Sequence, residues 1–124
     1  MSEKDLDFEI SFYERLLEKK PDFIEALIAL GDAYSKKGWF EKGLAVDKKL
    51  VQLRPADPII HYNLACDYSL LKVPNLSFYS LEKALQLGYD DFEFMTEDPD
   101  LRFIREDKRF KELVGKYKAP ADSV

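Results

Sequence analysis

Between Thr96 and Phe110 the chain reads TEDPDLRFIREDKRF, with five acids and four bases in fifteen residues. Carboxylates this dense serve one of three ends: binding a metal, moving protons across a cleft, or capping helices. A calcium loop needs a glycine turn and acids at set spacings, which Glu97, Asp98 and Asp100 lack. Acid–base work needs two carboxylates facing each other with displaced pKa values, and no spacing here imposes that. Carboxylates also accept hydrogen bonds from the free N–H groups of a helix start and favour its positive end. Capping is the expected role.

The other reactive residues point the same way. Cys66 is the single cysteine and His61 the single histidine. An intramolecular disulfide and a cysteine cluster are both excluded. Five residues apart on one helix, the two side chains diverge by about 140°, so they do not form a joint ligand pair. His61 is expected to pack between helices. No catalytic residue, metal or cofactor is expected, and the chain reads as a non-enzyme.

Such side chains need elements to hold them, and the bulk numbers set the limits. The chain has 124 residues, enough for one domain with a core. Its net charge is −5, which disfavours nucleic acid and anionic membrane surfaces as partners. The start MSEKDLDFE lacks a basic, then apolar, leader, and no segment has the length of a membrane span. A cytoplasmic protein is expected.

An offset of 34 residues organises the chain: Pro21 falls on Pro55, Leu30 on Leu64, Tyr34 on Tyr68, Ser35 on Ser69, Lys49 on Lys83 and Gln52 on Gln86. A period of this size marks a helix–turn–helix array. Phe23, Leu27, Leu30, Gly31 and Tyr34 recur at threes and fours, between a start at Asp22 and a stop at Gly38. A second helix carries Phe40, Leu44, Leu50 and Val51 and ends at Arg54-Pro55. Asp57-Pro58 opens a third, and Pro74 opens a fourth that closes at Gly88. FEISFYERLLEKK is a further amphipathic helix ahead of these. The fold class is all-α, a short helix–turn–helix solenoid with C-terminal capping helices.

Leu30-Gly31…Tyr34…Leu50…Pro55 and Leu64-Ala65…Tyr68…Ala84 resemble the tetratricopeptide repeat family over roughly residues 4 to 90. The resemblance implies a half-repeat helix at 4–20, repeats at 22–55 and 57–88, and a cap at 90–117, in one domain spanning 1–118 with a flexible tail at 119–124. Gly43, Ser77, Asp47 and His61 depart from the pattern. A third repeat would set Pro99 in mid-helix, at a cost of about 3 kcal/mol. A short helix over about Asp91–Glu97 is therefore expected, then a turn or short helical segment from Asp98-Pro99, then a last helix after Asp107. Phe92, Met95, Leu101, Phe103, Ile104, Phe110, Leu113 and Val114 would cover the end of the array.

The family resemblance also implies an inner face that binds a protein or peptide. With Leu27, Leu30, Gly31, Tyr34 and His61, Leu64, Ala65, Tyr68 buried, the adjoining stripes are Glu25, Ile28, Asp32, Ser35 and Lys36, then Ile59, Tyr62, Cys66, Ser69 and Leu70. They suit a helix or extended segment with apolar anchors and a basic residue or two. A chaperone-carboxylate clamp is not expected, because Asp32 stands where an Asn belongs and the second inner helix has no Lys or Arg before Lys72. The alternative is self-association as a homodimer or by end-to-end stacking, through Leu6, Phe8, Ile10 and Leu17, with the groove filled by the C-terminal segment.

Overall fold

The computed structural model describes residues 2–118, so the tail expected at 119–124 lies outside the described residues. Those residues are all-α, without a strand among them. They run through α1 (Glu3–Lys19), α2 (Ile24–Lys37), α3 (Phe40–Leu53), α4 (Pro58–Leu70), α5 (Pro74–Gln86) and α6 (Phe92–Glu97). A single 3-10 turn, Pro99–Leu101, leads into α7 (Arg102–Arg105) and α8 (Lys108–Tyr117). The chain divides between Ala56 and Asp57 into two compact units; in the first α2 packs on α1 and α3, and in the second α4 packs on α5. None of the described helices is long and apolar enough to cross a membrane.

In the first unit, α1 lays Leu6, Ile10, Tyr13 and Leu17 along one stripe, spaced by fours and threes, against Leu30, Ala33 and Tyr34 of α2. This corrects the self-association surface expected from sequence. Leu6 and Ile10 are buried, Leu17 is half-buried, and Phe8 alone of that set is exposed. Gly31 explains itself through α3. A Cβ there would stand 3.3 Å from Asp47 Oδ1 and 3.4 Å from Val46 Cγ1. The two helices therefore approach where there is no side chain to hold them apart. Asp22, expected to start α2, does something else: Phe23 takes the cap position without a side-chain bond, and Asp22 pairs with Lys49 at 3.3 Å. Lys49 also donates to the Pro21 carbonyl at 2.7 Å, tying α3 to the turn before α2.

In the second unit, α4 and α5 form the matching hairpin. Ser77 stands on α5 where the repeat pattern has Ala, and its hydroxyl donates to the Ala65 carbonyl at 2.7 Å. A small polar side chain is thus buried without an unmet hydrogen bond. The C-terminal segment folds onto this hairpin. Met95, Leu101, Ile104 and Phe110 are buried with Ala65, Cys66, Phe78 and Leu81, and Phe92, Leu113, Val114 and Tyr117 pack around them. Phe103, expected in that layer, is instead 45% exposed, because α7 turns its neighbour Ile104 inward.

The period is also written in the backbone. Trp39 N donates to Tyr34 O at 2.8 Å and Val73 N to Tyr68 O at 2.8 Å. Gly38 N donates to Ser35 O and Lys72 N to Ser69 O, both at 3.0 Å. Each closure needs a left-handed residue just past the helix. Gly38 supplies it at φ 84, and Lys72 at φ 61. A residue bearing a Cβ is strained there by about 1–2 kcal/mol, partly offset by glycine's greater freedom in the unfolded chain. Lys72→Gly should therefore raise unfolding free energy by about 0.5–1 kcal/mol, and Gly38→Lys should lower it by as much. Urea denaturation of both variants reads this, and a stability loss in Lys72→Gly would contradict it.

Candidate functional site

The sequence-derived candidates divide according to what covers them. On α2, Glu25, Ile28, Asp32 and Lys36 are exposed and Ser35 is half-buried. Ile28 keeps 44% of its surface in water, in a polar row where Lys36 pairs with Asp32 at 2.9 Å. These five side chains do share an accessible face, as the helical spacing requires.

On α4 the outcome differs. Ile59 is exposed and Leu70 half-buried, but Tyr62, Cys66 and Ser69 are buried. The C-terminal segment lies over Tyr62 and Cys66. The Tyr89 ring stacks on Tyr62 with centroids 4.3 Å apart and planes 6° from parallel, and Phe94 leans on it at 6.2 Å. The Tyr62 hydroxyl donates to Asp98 Oδ2 at 2.7 Å, and the Cys66 thiol reaches the same oxygen at 3.7 Å. Asp98 Oδ1 accepts the Asp100 N–H at 3.0 Å and so caps the turn that Pro99 begins. Arg105 then donates to the Asp98 carbonyl at 2.9 Å and the Met95 carbonyl at 3.2 Å, which fastens α7 to the preceding helix end.

Two of the five acids of the 96–110 stretch, Asp98 and Asp107, are helix caps. Asp98 starts the 3-10 turn and Asp107 starts α8 by accepting the Arg109 N–H at 2.9 Å. Asp91, just before the stretch, accepts the Phe94 N–H at 3.1 Å to start α6. The Arg109 side chain also folds over Asp107, and these bonds hold that carboxylate down to about 2. The cap's pH dependence has a definite sign. A carboxylate lowered by folding adds stability above its unfolded value, about 4, and loses it as pH falls through the folded value.

One cluster has the composition of a metal site, since ligand atoms of Cys66, Asp98 and Asp100 all lie within 4.8 Å of one another. Its chemistry argues against that use. A metal takes a thiolate, yet burial and the Asp98 and Asp100 carboxylates push the Cys66 thiol well above its usual value. Burial also raises Tyr62, which stays a hydroxyl donor. Both oxygens of Asp98 are already committed to hydrogen bonds. The cluster is a buried hydrogen-bond network that holds the C-terminal segment on α4.

No family model matches the chain. The chain is 31% identical over 107 residues to a protein of Arabidopsis thaliana named as chloroplastic. The match takes in 84% of this chain and 30% of that protein, so the chain spans less than a third of its relative's length. The two are distant homologues. The paired helical hairpins agree with the tetratricopeptide resemblance seen in the sequence.

Sequence reasoning missed Asp98 as the partner of Tyr62. The two are 36 residues apart, and the only available signal was an acid next to a proline that breaks the period. Asp98→Ala removes a cap and strands the Tyr62 hydroxyl. It should cost about 2–4 kcal/mol in urea unfolding and speed thiol labelling of Cys66, which is buried in the parent. Equal labelling rates in both proteins would contradict this. In acid titration the Asp107→Asn variant should lose the extra destabilisation that the parent shows between about pH 4 and pH 2.

Proposed function

We propose that the chain is a non-catalytic protein-interaction module, and that the open face of α2 receives a peptide or helix of a partner protein. The exposed Ile28 set among Glu25, Asp32, Ser35 and Lys36 carries the reading: one apolar anchor with polar groups around it on a rigid helix. The distant homology to a much longer protein supports it, because a short helical module presents side chains and leaves chemistry to others. The buried polar cluster supports the non-enzymatic part, since its titratable groups are spent on holding the fold. The interacting unit of this proposal is the whole of residues 1–118.

Self-association is the second reading. Phe8 and Phe12 favour it, 68% and 47% exposed on the outer side of α1, where Phe12 also lines an open concavity with Arg15, Leu16 and Lys19. Compartment belongs to the same proposal. The relative's name refers to the chloroplast, so a plastid interior is proposed beside the cytoplasm, and imaging of a fluorescent fusion in the parent cell decides between them.

The test is affinity capture from the parent organism with three proteins: the parent, Ile28→Ala/Asp32→Asn, and Phe8→Ser/Phe12→Ser. All altered side chains are exposed, so melting should be unchanged. A protein held by the parent and lost only by the α2 variant is the expected result. Capture unaffected by the α2 variant would remove that face from consideration. A concentration-dependent dimer abolished by the α1 variant, with no captured partner, would replace the proposal with self-association.

A further inference from the structure

We propose that the outer face of α6, together with the first turn of α4, seats a basic amphipathic segment of a partner protein. This deepens the protein-binding reading and rests on it, but it names a different surface and a definite partner chemistry. The apolar part is Phe94 and Ile59. Phe94 touches the ring of Tyr62 yet keeps 50% of its surface in water, and Ile59, one helical turn ahead of Tyr62 on α4, keeps 54%. These two are left outside a core that buries Tyr62, Tyr89 and Met95.

The rim is acidic. Asp90, Glu93 and Glu97 are all exposed; helix geometry puts Glu93 and Glu97 within about 100° of Phe94, and Asp90 lies just before α6. Residues 90–100 hold six acids and no base. Among the described residues of this unit, the ion pairs Asp107 with Arg109 and Glu82 with Lys116 take up none of the three rim acids. Of the bases that follow, Arg105 donates to the Met95 and Asp98 carbonyls at the end of α6, and the three rim acids outnumber it. An apolar pair beside a rim richer in acids than in bases disfavours nucleic acid and anionic lipid. It complements a helix whose Leu or Phe anchors are flanked by Lys or Arg. The cleft between α5 and α8 has no such bias, since Arg109 and Lys116 there already face Asp107 and Glu82.

The probe is a labelled amphipathic peptide of leucine and lysine, about 14 residues or nearly four turns, with its leucine–glutamate counterpart as control. Fluorescence anisotropy against the full chain should show binding of the basic peptide that weakens with salt, and none of the acidic one. Glu93→Gln/Glu97→Gln should weaken binding about fivefold, and Phe94→Ala about tenfold or more. Phe103→Ala, an equally exposed ring beside Arg102, should leave affinity unchanged. Glu18→Gln/Glu41→Gln, which alters net charge by the same amount, should do so as well. Melting curves confirm that the altered surface residues leave the fold intact.

Absence of binding, or binding indifferent to the Glu93, Glu97 and Phe94 changes, overturns the proposal. Loss of binding in Ile28→Ala/Asp32→Asn instead overturns it while keeping the protein-binding reading on α2. A rise in the chain's own mass with concentration, abolished by Glu93→Gln/Glu97→Gln, gives the surface to a second copy and likewise overturns it.

Discussion

A single buried carboxylate governs how the second unit ends. Asp98 accepts the Tyr62 hydroxyl with one oxygen and the Asp100 N–H with the other, while its carbonyl accepts from Arg105. The side chain joins α4 to the 3-10 turn, and the backbone joins that turn to α7. Desolvating a carboxylate is costly unless its lone pairs are met, and here both oxygens have donors. Placing Asp98 anywhere else would leave Tyr62 with a buried, unmet hydroxyl. The network therefore selects one arrangement of the C-terminal segment beyond what apolar burial of Met95, Leu101 and Ile104 requires.

That arrangement decides what the protein can offer to others. A face of α4 that helical spacing marks as available is closed by Tyr89, Phe94 and Asp98, which converts Tyr62 and Cys66 from candidate contacts into core. The charge of the segment moves outward as a result. Its capping acids, Asp91, Asp98 and Asp107, are consumed by helix starts, and its remaining acids stand in water around Phe94. Among the described residues of the first unit no comparable segment lies over α2, and Ile28 is exposed. The two units share a hairpin plan and differ in which helix face they leave to solvent.

The hairpins were legible because their signals are local. Leu30, Gly31 and Tyr34 repeat as Leu64, Ala65 and Tyr68, and all six are buried as the spacing requires. Proline and acid positions gave the broken third repeat almost to the residue, since a proline without an N–H cannot sit inside a helix. Lys72 was not legible. It occupies the left-handed position that Gly38 fills one period earlier, and nothing about a lysine announces a positive φ. The strain is carried by the closing bond from Val73 N to Tyr68 O, a property of the turn rather than of the residue type.

The sequence by itself determined the helices, their period, their turns and the capping use of Asp98 and Asp107, because each follows from side-chain volume, proline chemistry and neighbours within a few residues. Only the tertiary structure decided which candidate surfaces survive. Whether Tyr62 faces a partner or a core depends on Asp98 and Tyr89, distant in the chain and brought onto α4 by packing. Pairings at such separations are fixed by the joint burial of many groups, and no short stretch of sequence contains that sum.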